Sequence, residues 1–413
     1  MILISGAGIA GLTLGLTLYQ IGVPFRIFER APRIEALGVG INVQPNAVRE
    51  LFDLGLQEML DRVGLRTAEV GFYAKTGREI WREPRGLDAG YRWPQFSIHR
   101  GRLQAELHAE LLRRAGPDCV VCDAQGVGFE QTEQGVTHKL ADGRRIDGAL
   151  LIACDGIHSA IRRTLFPDEG DPLWSGAVLW RGTTKAAPFL SGASVIIAGH
   201  DRQRLVAYPI TPPAPETGHA VINWIAERKF DASQGFRRED WTRNAERSDF
   251  APLFDAWRFD WLDVPALIAG AGEVYEYPMV DRDPLPRWTH GRVSLMGDAA
   301  HPTYPVGSNG ASQAIVDARV LGAEILRHGV GNAALEAYEA RMRPATTQVV
   351  LANRGAGPDA ILERVEQLSG GDFAHIDDVI LRADLDAHAA RYKAVAGMSI
   401  EAVNAAEPTI SMS

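Results

Sequence analysis

The chain has 413 residues, 46% of them hydrophobic and 23% charged, with no low-complexity tract or internal repeat, which bounds it as a soluble globular protein of roughly two to three domains. Its 43 basic and 52 acidic residues leave a net charge of -9, which argues against non-specific nucleic-acid binding. Three cysteines, Cys119, Cys122 and Cys154, cannot make a disulfide framework and fit a reducing, cytoplasmic setting.

The residues before Arg26 carry no charge, but a signal peptide would place Lys or Arg ahead of its apolar stretch, and none is there. Glycines at 6, 8, 11, 15 and 22 behind an Ile-Leu-Ile start also read as a folded unit rather than a membrane helix, so no membrane partner is expected. "MILISGAGIAGLTLGLTLYQIGVPFRIFER" parses as an apolar strand, a glycine turn, a helix of about ten residues and a second strand, a βαβ unit. Residues 42 to 62 and 100 to 114 read as amphipathic helices. "CVVC" at 119 to 122 lies in a strand-like run rather than at a helix start, which argues against a redox pair. "RRIDGALLIACDG" is a buried strand that reaches a turn.

From about 172 to 280 the texture changes to short β-branched and aromatic runs such as "GAVLWRGTT", "RLVAYPI" and "HAVINWIAE", as in a mixed or antiparallel sheet. "GAGEVY" at 270 to 275 has no third glycine and reads as a loop. "RVSLMGDAA" returns to a buried strand, a helix starts near Ala311, and residues 332 to 405 look mostly helical. The expected architecture is α/β. A discontinuous Rossmann-like domain, 1–171 and 281–354, is interrupted by a β-sheet domain at 172–280 and followed by a helical C-terminal segment at 355–413.

Gly6, Gly8 and Gly11 form G-x-G-x-x-G between a strand and a helix, with Glu29 ending the next strand. The first glycine permits a tight turn, the second lets backbone approach a pyrophosphate, the third permits close helix packing, and the acid can accept from a ribose diol. The acid disfavours the 2'-phosphate of NADP and leaves FAD or NAD; a glycine-rich structural turn is the plainer alternative. "CDGIHSAIR" places Asp155, Gly156, His158, Ser159 and Arg162 where a strand turns into a helix, which on its own is a capped helix with an arginine on its face. Arg100 and Gln104 share a helix face at i and i+4, as would a solvated surface pair. In "GDAAHPTYPVGSNGASQAI" the lone Asp298 has no neighbouring cation; by itself it would be a turn aspartate or a helix cap.

The G-x-G-x-x-G at 6 to 11, the Asp155-Gly156 turn, and the "GDAAH" of 297 to 301 followed by "PVGSNG" resemble the three ordered fingerprints of the group A flavoprotein aromatic hydroxylases, single-component FAD monooxygenases of the para-hydroxybenzoate and salicylate hydroxylase type. "GVGINVQPNAV", "YRWPQFSIHRG", "LWRG", "RLVAYPI", "YPMVDRDPLP" and "NGASQAI" are most similar to the phenazine-modifying branch, of the 5-methylphenazine-1-carboxylate 1-monooxygenase kind. The likeness runs from residue 1 to about 354.

The resemblance implies FAD as cofactor, held by Gly6, Gly8, Gly11, Glu29, Arg30, Arg100, Gln104, Asp155, Gly156, Gly297, Asp298, Pro305, Gly307, Asn309, Gly310 and Ala311. Asp298 would bind the flavin's sugar-alcohol chain, Glu29 the adenosine ribose, Arg100 and Gln104 the diphosphate region and ribityl chain, and Asp155 would fix the turn beside the pyrophosphate. The helix start near Asn309 to Ala311 would face the pyrimidine end of the flavin ring.

It further implies NADH or NADPH as a transient co-substrate, dioxygen captured as a flavin hydroperoxide, and hydroxylation, simple or decarboxylative, of an aromatic or heteroaromatic ring bearing a carboxylate or hydroxyl. The protein would be a monomer or a homodimer. No nucleophile, acid-base dyad or metal is required, and His301 reads as structural. Candidates for the substrate pocket are Trp180, Arg181, Tyr208, Asn223, Trp224 and Tyr304, although aromatic residues on a strand are more often core. Alternatives are an FAD-dependent oxidase or reductase on the same fold, an NAD-dependent dehydrogenase suggested by the first thirty residues alone, and a non-enzymatic flavin-binding sensor.

Overall fold

The computed structural model describes residues 1–36, 38–230, 245–355 and 357–411. The apolar run at the start becomes the strand Ile2–Ser5, buried along its whole length. It sits inside a six-stranded sheet ordered Thr289–His290, Val293–Leu295, Leu150–Ala153, Ile2–Ser5, Phe25–Phe28, Val120–Val121. All pairs are parallel except the first. Continuous apolar strands are what a parallel sheet covered on both faces requires. Helix α1, Ile9–Gln20, is buried from Ala10 to Leu18, which is why its sequence lacks a polar stripe.

The segment at 42 to 62 is not helical throughout. Gly40–Val43 is a strand, followed by α2, Pro45–Asp53, and α3, Gln57–Val63. Gly55, with φ +74°, breaks the helical run where an L side chain would be strained. Helix α4, Arg100–Ala115, matches the expected span and packs on α1, and α5 covers Ala160–Leu165.

The second sheet has seven strands: Val274–Asp281, Leu173–Ala186, Ala220–Lys229, Gln203–Pro209, Ser194–His200, Glu69–Tyr73 and Glu79–Pro84. It is therefore not confined to 172–280: its last two strands come from residues 69–84, joined through a parallel pairing of Ser194–His200 with Glu69–Tyr73. Within 172–280, residues 231–244 lie outside the described residues. One face of this sheet is closed by residues 250–271, including α6, Val264–Ala269, around Trp180, Trp224, Phe250 and Phe254.

The other face is shared. Part of it meets the strand Gly40–Val43, where Gly40 N–H donates to Asn223 and Gly40 O accepts from Arg181. The rest is covered by the C-terminal helices α9, Ala360–Ser369, and α10, Arg382–Val395, whose Ile361, Leu362, Val365 and Leu385 pack on Phe72, Ile80 and Trp81. After the last strand, Val293–Leu295, the chain runs through α7, Gly310–His328, and α8, Asn332–Asn353; α11 is Ile400–Ala405. Arg354, just after α8, grips Asp281 through Nε and Nη2 at 2.7 and 3.1 Å, tying the edge strand Val274–Asp281 to the end of α8.

Candidate active site

In an open parallel sheet, the residues just past the carboxyl ends of the strands form the ligand crevice. Four adjacent strands end one or two residues before Gly6, Glu29, Asp155 and Gly297, and the ladder continues into the loops through Gly6 N–H to Phe28 O, Cys154 N–H to Ser5 O and Met296 N–H to Ala153 O. The three fingerprints are thus brought to one edge. A Cβ at Gly11 would stand 2.0 Å from Gly6 O, whereas one at Gly8 would meet nothing within 4 Å. Gly11 is required by the fold; Gly8 borders open space.

Glu29 is fixed by two backbone donors, Ala7 N–H at 2.7 Å to Oε2 and Ala31 N–H at 2.9 Å to Oε1. Each oxygen keeps a lone pair for a further donor. Arg30 beside it is exposed. Gln104 donates to Ala7 O at 2.8 Å and so braces the glycine loop, while Arg100, one turn earlier on α4, is exposed and lies close enough to Arg181 and Tyr277 to act on both.

Asp155 accepts from Ala160 N–H, at the start of the helix α5 that Ser159 caps, at 3.0 Å with Oδ2, while its buried Oδ1 has no partner. Burial pushes its pKa up despite hydrogen bonds from Ser159 and the α5 backbone. Arg162, read from sequence as a helix-face arginine, is instead only 1% exposed. Its Nη1 donates to the carbonyls of Ala299 and Ala300 at 3.0 Å each, so it orients the turn that carries Asp298.

That turn, Gly297–Ala299, leaves Asp298 exposed, with no hydrogen bond from a described residue. His301 points the other way, into the protein. Its Nε2 lies 2.6 Å from the buried Asp317, which also accepts from Gly297 N–H at 3.0 Å. Burial works to lower the His301 pKa, but the charge and hydrogen bond of Asp317 outweigh it and leave it raised. His301 belongs to a buried ion pair under the turn, and no metal-type cluster exists among the described residues.

Beyond it, Pro305 is exposed, Gly307 has φ +68°, and α7 begins at Gly310 without a side-chain cap. These features fit FAD: an open cradle at Gly8 and Gly156, a rigid acid at Glu29, orphan acceptors at Asp155 and Asp298, and an uncapped helix start behind Gly310 and Ala311.

Strand alternation sorts the substrate-pocket candidates. Trp180 donates to Glu276 at 3.0 Å and stacks on Phe250, with centroids 4.8 Å apart, and Trp224 donates to Thr184 at 3.0 Å. Both belong to the buried cluster with Phe250 and Phe254, on the sheet face that α6 closes. Arg181, Asn223 and Tyr208 share the opposite face of the sheet, where Tyr304 packs with Leu179, Ile225 and Met279, and Tyr208 lies in the cluster under α9 and α10. Arg181 Nη2 donates to Gly40 O at 3.0 Å, its guanidinium stands 5.9 Å from the Tyr277 ring centre, and its buried Nε has no partner.

The strongest influences on Arg181 are burial, which lowers its pKa, then Tyr208, Tyr277 and Arg100, with no carboxylate among them. Asn223 accepts from Gly40 N–H at 2.7 Å, while its buried Nδ2 has no partner. Burial pushes Tyr208 up to about 12, and burial with the neighbouring Asp281 does the same to Tyr304. Tyr277 escaped the sequence reading, although its register opposite Leu179, two residues from Arg181, would have placed it on the same face. Cys119 and Cys122 are free thiols whose pKa burial raises, the reverse of a reactive pair.

The FAD binding domain family model matches residues 1–246 and 273–353. The chain is 44% identical over 362 residues to phenazine 1,6-dicarboxylic acid hydroxylase PhzS of Lysobacter antibioticus, covering 86% of this chain and 89% of that one. It is 32% identical to the aurachin C monooxygenase/isomerase of Stigmatella aurantiaca, covering 82% and 84%. Among solved structures, Klebsiella pneumoniae HpxO complexed with FAD and uric acid superposes with a TM-score of 0.72 at 24% identity, over 98% of this chain and 96% of that one, a likeness of fold.

Proposed function

Since this chain belongs to the FAD-binding-domain family of flavin-dependent aromatic monooxygenases, we propose that it hydroxylates a fused or carboxylated heteroaromatic ring, using NADH or NADPH and dioxygen. Bound FAD, reduced by the nicotinamide, supplies the activation of oxygen. The protein's part is to bind the ring, orient it and keep water away.

The observation that carries the substrate class is Arg181. A guanidinium with a buried, unpartnered Nε, set over Tyr277 and, among the described residues, with no carboxylate among its leading influences, is a donor site in want of an anion. A ring carboxylate or phenolate satisfies it. Asn223 Nδ2 offers a second unmet donor on the same face, and Tyr208, neutral at ordinary pH, adds a polar wall. Leu179, Ile225, Met279 and Tyr304 supply the apolar surface that an aromatic ring needs.

Glu29, Asp155, Asp298 and the start of α7 hold the cofactor in this reading. The nicotinamide docks transiently, and the enzyme works in the cytoplasm as a monomer or homodimer. Its three cysteines are free, and no helix among the described residues is long and apolar enough to cross a membrane.

The test is NADH and NADPH oxidation by the FAD-loaded protein, with oxygen uptake and hydrogen peroxide yield, across phenazines, aromatic carboxylates and phenols. A compound that accelerates nicotinamide oxidation and is itself oxygenated, with little peroxide, is expected. Peroxide alone throughout a broad panel would favour an oxidase and refute the reading.

A further inference from the structure

Asparagine is among the best residues for capping a helix start, because its side-chain oxygen accepts the free N–H groups of the first turn. Asn309 occupies that position before α7 and makes no cap bond. Its Nδ2 donates instead to Tyr392 Oη at 2.6 Å, Tyr392 Oη donates to Asn353 Oδ1 at 2.7 Å, and Asn353 Nδ2 donates to Thr303 Oγ1 at 2.9 Å. Asn309, Asn353 and Tyr392 are all buried. A hydroxyl has one proton to give; with that proton on Asn353, Tyr392 must accept from Asn309, which fixes the orientation of the Asn309 amide.

The same tyrosine shapes the loop ahead of the helix. Gly307 lies against it, where a Cβ would stand 2.0 Å from Tyr392 Oη, and Ser308 is held at φ +55°, a region L side chains rarely adopt. Tyr392 comes from α10, in the C-terminal segment that lies beyond the matched family model.

We propose that Tyr392 is a positioning residue for the flavin: by holding the Asn309 side chain aside, it keeps the first N–H groups of α7 open to the cofactor. The proposal rests on the FAD assignment above. Asn309 is held with helical backbone, φ -94° and ψ -25°; without the Tyr392 hydroxyl its amide is released, and the residue can turn to the extended backbone of a capping asparagine and compete with the cofactor for the donors that favour negative charge.

The test is Tyr392→Phe, compared with wild type by thermal unfolding, FAD affinity, reduction potential of the bound FAD and peroxide released per nicotinamide oxidised. The reduced cofactor should lose about tenfold in affinity relative to the oxidised one, which lowers the potential by about 30 mV for a two-electron couple. The peroxide fraction should rise. The double variant Y392F/N309G, which has no side chain to cap the helix, should recover the potential lost in Y392F.

An unchanged potential and peroxide fraction in folded Y392F overturns the proposal, as does a double variant no better than Y392F. If Y392F does not fold, Asn353→Ala, which removes the acceptor of the Tyr392 proton and so frees the Asn309 amide, decides in its place: an unchanged potential there overturns the proposal. A wild-type chain that binds no FAD refutes the cofactor assignment instead.

Discussion

Replacing Gly8 and Gly11 by alanine separates folding from cofactor binding. At Gly11 the new methyl would stand 2.0 Å from Gly6 O and 3.3 Å from Ile4 Cγ2, so α1 must shift away from the first strand. Overpacking of this kind destabilises by about 1–3 kcal/mol, and here the nearest obstacle is backbone, which cannot rotate aside. At Gly8, where φ is -72° and ψ -175°, alanine meets nothing within 4 Å and adopts the backbone without strain. The apo protein should be as stable as wild type or gain about 0.4–1 kcal/mol from the less mobile unfolded chain.

The space over Gly8 is where a pyrophosphate would lie. A methyl there should loosen FAD by roughly tenfold to a hundredfold, at about 1.4 kcal/mol per tenfold. The assay is urea or thermal unfolding of the FAD-stripped variants, then again with added FAD, alongside titration by flavin fluorescence. G8A should unfold like wild type when stripped yet gain less from FAD, and G11A should be weakened in both states. Wild-type FAD affinity in G8A would refute the placement of the cofactor along the strand ends.

Removing the donor in Arg181→Met should raise KM for a carboxylated ring by roughly tenfold to a hundredfold, the worth of a hydrogen bond to a charged group, while the FAD spectrum stays unchanged; an unaltered KM across carboxylated and neutral rings would refute its role. Trp224→Phe loses the bond to Thr184 and should lower stability by about 1 kcal/mol in urea unfolding with KM unaffected, whereas a changed KM would place Trp224 in the pocket. His138 is fully buried, and burial lowers its pKa below the ordinary 6.5. The unfolded chain therefore binds a proton that the folded one refuses, so this group's contribution is complete above about pH 6.5 and is lost as pH falls toward its folded value. Tm should drop more steeply between pH 6.5 and 5 in wild type than in H138F; parallel profiles would refute this.

The first domain was legible because its signals are local. An uncharged apolar strand, three glycines at set spacing and an acid ending the next strand form one βαβ unit, and a helix start is visible in the residues that make it. The helical break at Gly55 was missed because amphipathic spacing continues across it. The two strands at 69–84 were missed as part of the second sheet because their partner, Ser194–His200, lies more than a hundred residues away and nothing local announces a parallel pairing. Alternation on a strand tells which residues share a face, so Trp180 and Arg181 had to point oppositely. It cannot tell which face α6 closes, and packing by Phe250 decided that.

By itself the sequence determined the nucleotide-binding edge of the molecule, since backbone turns, glycines and strand ends are specified by near neighbours in the chain. Only the tertiary structure decided that Arg181 meets Gly40 and Tyr277, that Arg162 is buried against the Asp298 turn, and that Tyr392 reaches back 83 residues to Asn309, because burial and hydrogen-bond partners are set by segments that meet only after folding.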